Sequence, residues 1–242
     1  MDPQLSNRDL RVLVKCAVCK WLSTSQLHRL CYPDVSPDAV RKSLRRLAEA
    51  KYLASNRANR MTEALHALGP KGKAVLAAKG FHRVPSRIPP QQLEHLRGVN
   101  DIRIAFEQHP ERVAFFFSFW ELGGVRWPYT VIPDAVMALR LPNRVSFLVE
   151  YDRSTEGTTV LANKVRSYED FPALDPTILI VADTEKRLAL FSRTFRVLGV
   201  PRLLLGAVLT DMVTQGAYSD TFMDLFKQQP KLSLAEAVRV DP

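Results

Sequence analysis

The sequence predicts an α+β chain in two parts: a basic, mostly helical N-terminal region, then an α/β domain built on a mixed sheet. Three observations predict this. Residues 1–90 hold 17 Lys and Arg against 6 Asp and Glu, whereas residues 91–242 hold 17 against 19, so the net +9 comes from the first third. The first 80 residues carry helical stripes of apolar side chains followed by two short strand-like segments. Beyond residue 110 the pattern changes to short apolar strands interrupted by helical segments. The expected division is residues 1–80, a linker at 81–90, a sheet domain at 91–215 and a C-terminal tail at 216–242.

The N-terminal elements follow in order. Ser6 with Asp9 three residues on forms a capping pair for a first helix with Leu10, Leu13, Val14, Ala17 and Trp21 on one stripe. A second short helix starts within STSQLHRL and ends at Cys31-Tyr32-Pro33. A third starts at Ser36-Pro37, a capping serine with proline at the first helical position, and runs to about Leu53. Val40, Leu44, Leu47 and Leu53 form its apolar face, and Arg41, Lys42, Arg45 and Arg46 lie on the other. Two strand-like segments, Tyr52–Ser55 and Ala64–Leu68, flank the basic loop NRANR, and Gly69-Pro70-Lys71-Gly72 opens a fourth helix. This is the order of a winged helix-turn-helix.

The linker region GFHRVPSRIPP holds three prolines and no periodic pattern. A helix from about Gln91 to Gln108 follows. FFFSFWEL, TVIPDAVMAL and VSFLVEYD read as three strands in a meander, with Gly123-Gly124 as a hairpin turn. A helix at about Thr159–Phe171, the buried strand TILIVA, the helix KRLALFSRTFRV and the buried strand RLLLGAVL complete the domain. Meander plus crossovers make a mixed sheet with helices on its faces. The segment after Ala217 reads as a short terminal helix or a loose end.

Composition excludes several classes. Hydrophobic residues are 46% and charged residues 24%, an ordinary core-forming balance. No apolar run approaches the ~18 residues of a membrane span, so no membrane partner is expected. MDPQLSNRDLRVLVK carries charges through its apolar part and reads as a helix start rather than a signal peptide, which points to the cytoplasm. The three cysteines argue against a disulfide framework. Cys16, Cys19, His28 and Cys31 form a C-x2-C-x8-H-x2-C series, a spacing open to zinc. Equally, the first pair falls inside a helical pattern and Cys31 sits where the fold needs an apolar residue, and free cysteine packs as a small core residue. There is no H-x-H pair, P-loop, G-x-G-x-x-G or G-x-S-x-G.

Two sets of residues carry chemistry. A helix with four cations away from its core can enter a major groove, with Arg and Lys on phosphates or guanine edges, so Arg41, Lys42, Arg45 and Arg46 are candidate contacts to double-stranded DNA. Arg57 and Arg60 of the following loop would touch the backbone. The bland reading is a solvated charged face. In the second domain, Glu150 and Asp152 lie two apart on a strand and so share a face, away from Val145, Phe147, Val149 and Tyr151. Asp134 on a neighbouring strand can join them. Three carboxylates at a strand end suit Mg²⁺ or Mn²⁺, which activates water and stabilises phosphoryl charge. Lys164 and Tyr168 are i and i+4 on the next helix and share a face, placed to neutralise and orient a phosphate. Strand ends also carry Asp and Glu simply to terminate pairing, and spacing alone leaves both readings open.

The series PDAVMAL, FLVEYDRSTE and LANKVRSY resembles the replication-relaxation family of plasmid and mobile-element proteins. The resemblance runs from about Asn7 to Leu209 and takes in the helix with His95 and Asn100. Its specific part is Pro133–Tyr168. It implies a winged helix in the first domain and a PD-(D/E)XK restriction-endonuclease-like fold in the second, as in MOB-C type conjugative relaxases, which nick DNA at a transfer origin. It also implies that Asp134, Glu150 and Asp152 ligate the metal. One departure stands out: the superfamily's lysine usually lies two residues after the glutamate, and here that position is Asp152. Either Lys164 replaces it from the helix, or a second carboxylate works with the metal, or the site is dead.

The resulting expectation is a site-specific, metal-dependent DNA-nicking protein acting at a plasmid or mobile-element origin, catalytic through Asp134, Glu150, Asp152, Lys164 and Tyr168. The alternative is a non-catalytic DNA-binding accessory or regulator with a degenerate nuclease fold. A homodimer, and other mobilisation or replication proteins, are candidate partners.

Overall fold

The structure, a computed structural model, describes residues 4–57, 62–81, 92–125, 127, 131–141, 144–154, 157, 160, 163–164, 166–167, 177–198, 204–225 and 231–238. The chain divides into two units, Met1–Asn100 and Asp101–Pro242. The linker expected at 81–90 lies, beyond Phe81, outside the described residues.

In the first unit, serines start the first three helices. Ser6 caps α1 (Asn7–Cys19) and Ser23 caps α2 (Thr24–Cys31), each in a reciprocal capping box, with Asp9 and Gln26 respectively. Ser36 caps α3 (Pro37–Glu49), with proline in its first turn. The helices bury one stripe each: Val12, Leu13, Cys16 and Ala17; Leu27, Leu30 and Cys31; Val40, Leu44 and Leu47. α3 stops four residues before Leu53. Lys51 turns into the left-handed region at φ 64°, and the Tyr52 N–H donates back to the Leu47 carbonyl. Leu53 therefore opens β2 (Leu53–Asn56), which pairs antiparallel with β3 (Leu65–Leu68). A two-residue strand, β1 (Leu22–Ser23), pairs on the other side of β3, so the sheet order is β1-β3-β2. α4 (Pro70–Ala78) starts against the end of this hairpin. A Cβ on Gly72 would lie 2.3 Å from the Tyr52 carbonyl oxygen, so only glycine fits that approach.

α5 (Leu93–Glu107) runs through the division between the units. Within the first unit, the Asn100 side chain donates to the carbonyls of Cys19 and Trp21, and Gln26 donates to that of Arg97.

The second unit is a mixed six-stranded sheet of order β4-β5-β6-β7-β8-β9. Its strands are β4 (Val113–Ser118), β5 (Ala135–Arg140), β6 (Arg144–Asp152), β7 (Thr177–Ala182), β8 (Leu204–Val208) and β9 (Phe222–Asp224). β6–β7 and β7–β8 pair in parallel and the other pairs are antiparallel. FFFSFWEL is not one strand. Ser118 and Glu121 form a capping box that turns the second half into α6 (Phe119–Leu122). Gly123-Gly124 belongs to a 3-10 turn, Gly123–Val125, rather than to a hairpin turn. α7 (Glu185–Leu198) packs Leu188, Phe191 and Phe195 over one sheet face, against Val136, Leu148, Ile178, Ile180 and Leu204. Beyond α8 (Leu209–Gln215) the chain adds the sixth strand, β9, and the short helix α9 (Leu234–Ala237), in the region read from sequence as a terminal helix or loose end.

Candidate functional site

Strand alternation and register place the acidic residues. Val136 lies opposite Leu148, and both point to the face that α7 covers. One step of two residues further, the same alternation sets Asp134 beside Glu150 at the end of the β5–β6 pair. A second step along β6 puts Asp152 on that face too, next to Ala182 of β7. All three carboxylates are buried.

Asp134 and Glu150 are in contact. One oxygen of Asp134 accepts the backbone N–H of Tyr151 at 2.8 Å, which orients its carboxylate across the strand pair. Lys164, in helical conformation as are residues 160, 163 and 166, brings its Nζ onto Glu150 Oε2. Burial pushes the Glu150 carboxyl well above the usual carboxylate range, and the neighbouring Asp134 charge pushes it the same way. Lys164 pulls it back, but not enough. Lys164 thus meets Glu150 directly, and burial beside Asp134 makes the Glu150 carboxyl easier to protonate than an ordinary one.

Asp152 has a different neighbour. Arg187, in the first turn of α7, grips both its oxygens, Nε to Oδ2 at 2.5 Å and Nη2 to Oδ1 at 3.0 Å. Tyr151 points to the other face, where its hydroxyl donates to Asp183 at 2.9 Å. The structure therefore brings Asp134, Glu150 and Lys164 together and holds Asp152 in a separate pair. Tyr168 lies outside the described residues. Among the described residues there is no group of three or more His, Cys, Asp or Glu side chains placed to hold a metal ion. Sequence reasoning missed Arg187. Its only signal is its place one turn into the helix after TILIVA, which matters only once β7 is known to lie beside β6.

In the first unit, α3 and the β2–β3 hairpin enclose a groove of about 570 Å³ lined by Arg41, Lys42, Arg45 and Arg57. Arg41 and Arg45 are exposed and form weak surface pairs with Asp38 and Glu49. Arg46 differs, because it reaches the buried carboxylate of Asp9 on α1 at 2.6 Å. Arg60 lies outside the described residues. At the groove floor His66 sits between Thr24 (3.0 Å) and Ser55 (2.8 Å). Burial, with some repulsion from Arg57, lowers its pKa to about 4 against the pull of Glu63, so it is neutral at pH 7. Cys16, Cys19 and Cys31 are buried thiols outside any disulfide, and burial raises the Cys16 thiol well above its ordinary value.

The replication-relaxation family matches the chain over residues 15–176, that is 162 of its 242 residues. The chain belongs to the replication-relaxation family. No curated protein and no solved structure matches it. Membership suggests a role in plasmid replication or mobilisation. In this replication-relaxation protein the matched stretch contains the cations of α3, Arg57, Asp134, Glu150, Asp152 and Lys164, whereas Arg187 falls beyond it. Among the described residues no helix is long and apolar enough to cross a membrane.

Proposed function

We propose that this replication-relaxation protein binds a specific duplex site at a plasmid or mobile-element origin and nicks one strand there in a metal-dependent reaction. The first unit is read as a winged helix-turn-helix, with α3 as its recognition helix and β2–β3 as its wing. The second is read as a PD-(D/E)XK-like nuclease domain. The observation that carries the reading is the buried pair Asp134 and Glu150 with Lys164 reaching Glu150.

That group fits a divalent ion. Asp134 and Glu150 offer hard oxygen donors, and their mutual repulsion in a buried place is relieved by a proton or a cation. Mg²⁺ is typically held by one or two carboxylates together with substrate phosphate. Asp134 and Glu150 would hold the ion, which supplies Lewis acidity at a phosphoryl oxygen and a more acidic bound water. The Tyr151 N–H keeps Asp134 oriented toward Glu150. Lys164 sits on Glu150 from the helix side, where its ammonium can balance phosphate charge, which makes it the candidate for the lysine that Asp152 displaces from its usual position. Arg41, Lys42, Arg45 and Arg57 line one groove, which suits a polyanion.

The test is supercoiled plasmid carrying the cognate origin, incubated with Mg²⁺ or Mn²⁺ and scored for open circles. Wild type is expected to nick, and Glu150→Gln to lose nicking while keeping duplex affinity in a gel shift. Full nicking by Glu150→Gln, or none by wild type with any metal, would end the nuclease reading. The engagement of Asp152 by Arg187 favours a second reading, a DNA-binding accessory protein with a degenerate nuclease fold. Duplex binding without any nicking would establish it.

A further inference from the structure

We infer that Arg187 is a positioning residue that withholds Asp152 from the metal, so that the ion-binding site has two carboxylates and not three. This rests on the metal-dependent reading above.

Asp152 lies on the same sheet face as Glu150, two residues along one strand, so position alone would bring it into the carboxylate group. The guanidinium prevents this. Its fork matches the carboxylate with two N–H···O contacts, the most specific geometry an arginine offers. Asp152 is buried and the Arg187 side chain is largely covered, 6% and 10% exposed. Arg187 also lies over the Phe191 ring at 5.3 Å, which fixes the guanidinium from a second side. To ligate an ion, Asp152 would have to give up its bidentate bond to a largely covered arginine, and breaking such pairs is unfavourable.

Asp152 has a further task. Its Oδ2 accepts the N–H of Ser154 at 3.0 Å, and Ser154 occupies the left-handed region at φ 60°, unfavourable for a residue with a Cβ. Arg187 therefore holds the carboxylate that holds the turn by which the chain leaves β6. Arg187 pairs with Asp152, whereas Lys164 pairs with Glu150.

The experiment is Mn²⁺ titration of the full chain at neutral pH, reading free Mn²⁺ by electron paramagnetic resonance, with circular dichroism to check the fold. Wild type is expected to bind one ion and Glu150→Gln to lose it. Arg187→Gln releases Asp152 as a third carboxylate and is expected to tighten Mn²⁺ binding by about tenfold or more, the scale on which groups behind metal ligands act. A merely structural role would weaken binding or leave it unchanged. The double variant Asp152→Asn with Arg187→Gln lacks both charges and is expected to bind like wild type. Unchanged or weaker binding by folded Arg187→Gln overturns the inference while the metal reading stands. So does loss of binding in the double variant, since Asp152 would then be a ligand. If Arg187→Gln does not fold, the double variant, which leaves no lone buried charge, decides in the same way. Wild type that binds no Mn²⁺ while Arg187→Gln does would sink the nuclease reading alone, and no binding by either would sink both.

Discussion

Arg46→Ala separates a structural cation from the solvent-exposed ones on the basic face of α3. Asp9 is buried in the first turn of α1 with its side chain 4% exposed, and three groups hold its carboxylate: the Ser6 N–H and hydroxyl, each at 2.9 Å, and Arg46 at 2.6 Å. Burial alone would raise its pKa, but the Ser6 backbone bond and the Arg46 guanidinium outweigh this and hold it below the usual carboxylate value. Removing one partner of a fully buried pair costs about 3–5 kcal/mol, whereas an exposed pair contributes about 0–1 kcal/mol. Here the arginine is 41% exposed and Ser6 remains, so the expected cost lies between, about 2 kcal/mol. Arg45 has no buried partner, and Arg45→Ala is expected to leave stability unchanged. Urea denaturation of the three proteins makes the comparison. If Arg46→Ala unfolds at the same urea concentration as Arg45→Ala, the Asp9 pair contributes nothing and this reasoning is wrong. The outcome also governs how DNA binding is tested, since a weaker gel shift from Arg46→Ala would mix a missing DNA-facing cation with a weakened fold.

Other expectations can be checked separately. Replacing Arg41 and Arg45 together by Ala should weaken duplex binding and flatten the dependence of log K on log salt by about 0.9 for each phosphate no longer neutralised; unchanged affinity would exclude α3 as the main DNA-binding element. His66 has its folded pKa lowered to about 4 from 6.5. The stability that its neutral form contributes is thus present above pH 6.5 and lost as pH falls toward 4, by up to about 3 kcal/mol. His66→Gln should flatten urea midpoints measured across that range, and an equally steep profile would show that another group is responsible. Zinc needs thiolates, and burial opposes ionisation of Cys16, so metal analysis should find no stoichiometric zinc. One zinc per chain, lost in Cys19→Ser, would reverse that.

What was legible in the sequence was local. The Ser6–Asp9 capping pair and the Ser36-Pro37 start are short-range relations, and those two helices begin where the relations place them, whereas the second helix was placed only within STSQLHRL and the structure sets its cap at Ser23. Period-two alternation sets Glu150 and Asp152 on one face, because it needs no knowledge of neighbours. Strands β1 and β9, of two and three residues, are too short to show a period and exist through their pairing with β3 and β8. Arg46 looks like its neighbours on the helical wheel and parts from them only because α1 brings Asp9 against it. Arg187 was hidden for a related reason. TILIVA is apolar throughout, so its sequence carries no register, and only the parallel pairing of Asp152 with Ala182 brings the start of α7 to β6.

The two acidic residues of β6 show why face and residue type together do not determine role. Glu150 and Asp152 are both buried, both carboxylates, and both on the α7 side of the sheet. Their paired cations differ: Lys164 reaches Glu150, and Arg187 grips Asp152. Asp134 and Glu150 bring two carboxylates together in a buried place with Lys164 on Glu150, and burial and the Asp134 charge raise the Glu150 pKa, the direction in which a proton or a cation relieves such a pair. Asp152 and Arg187 meet as two N–H groups on two oxygens, a matched pair that an ion would have to break. In the proposed metal site a divalent ion would gain from the first arrangement and would have to break the second. The preference follows from which carboxylate has a matched guanidinium, and changing Arg187 alone is therefore enough to test it.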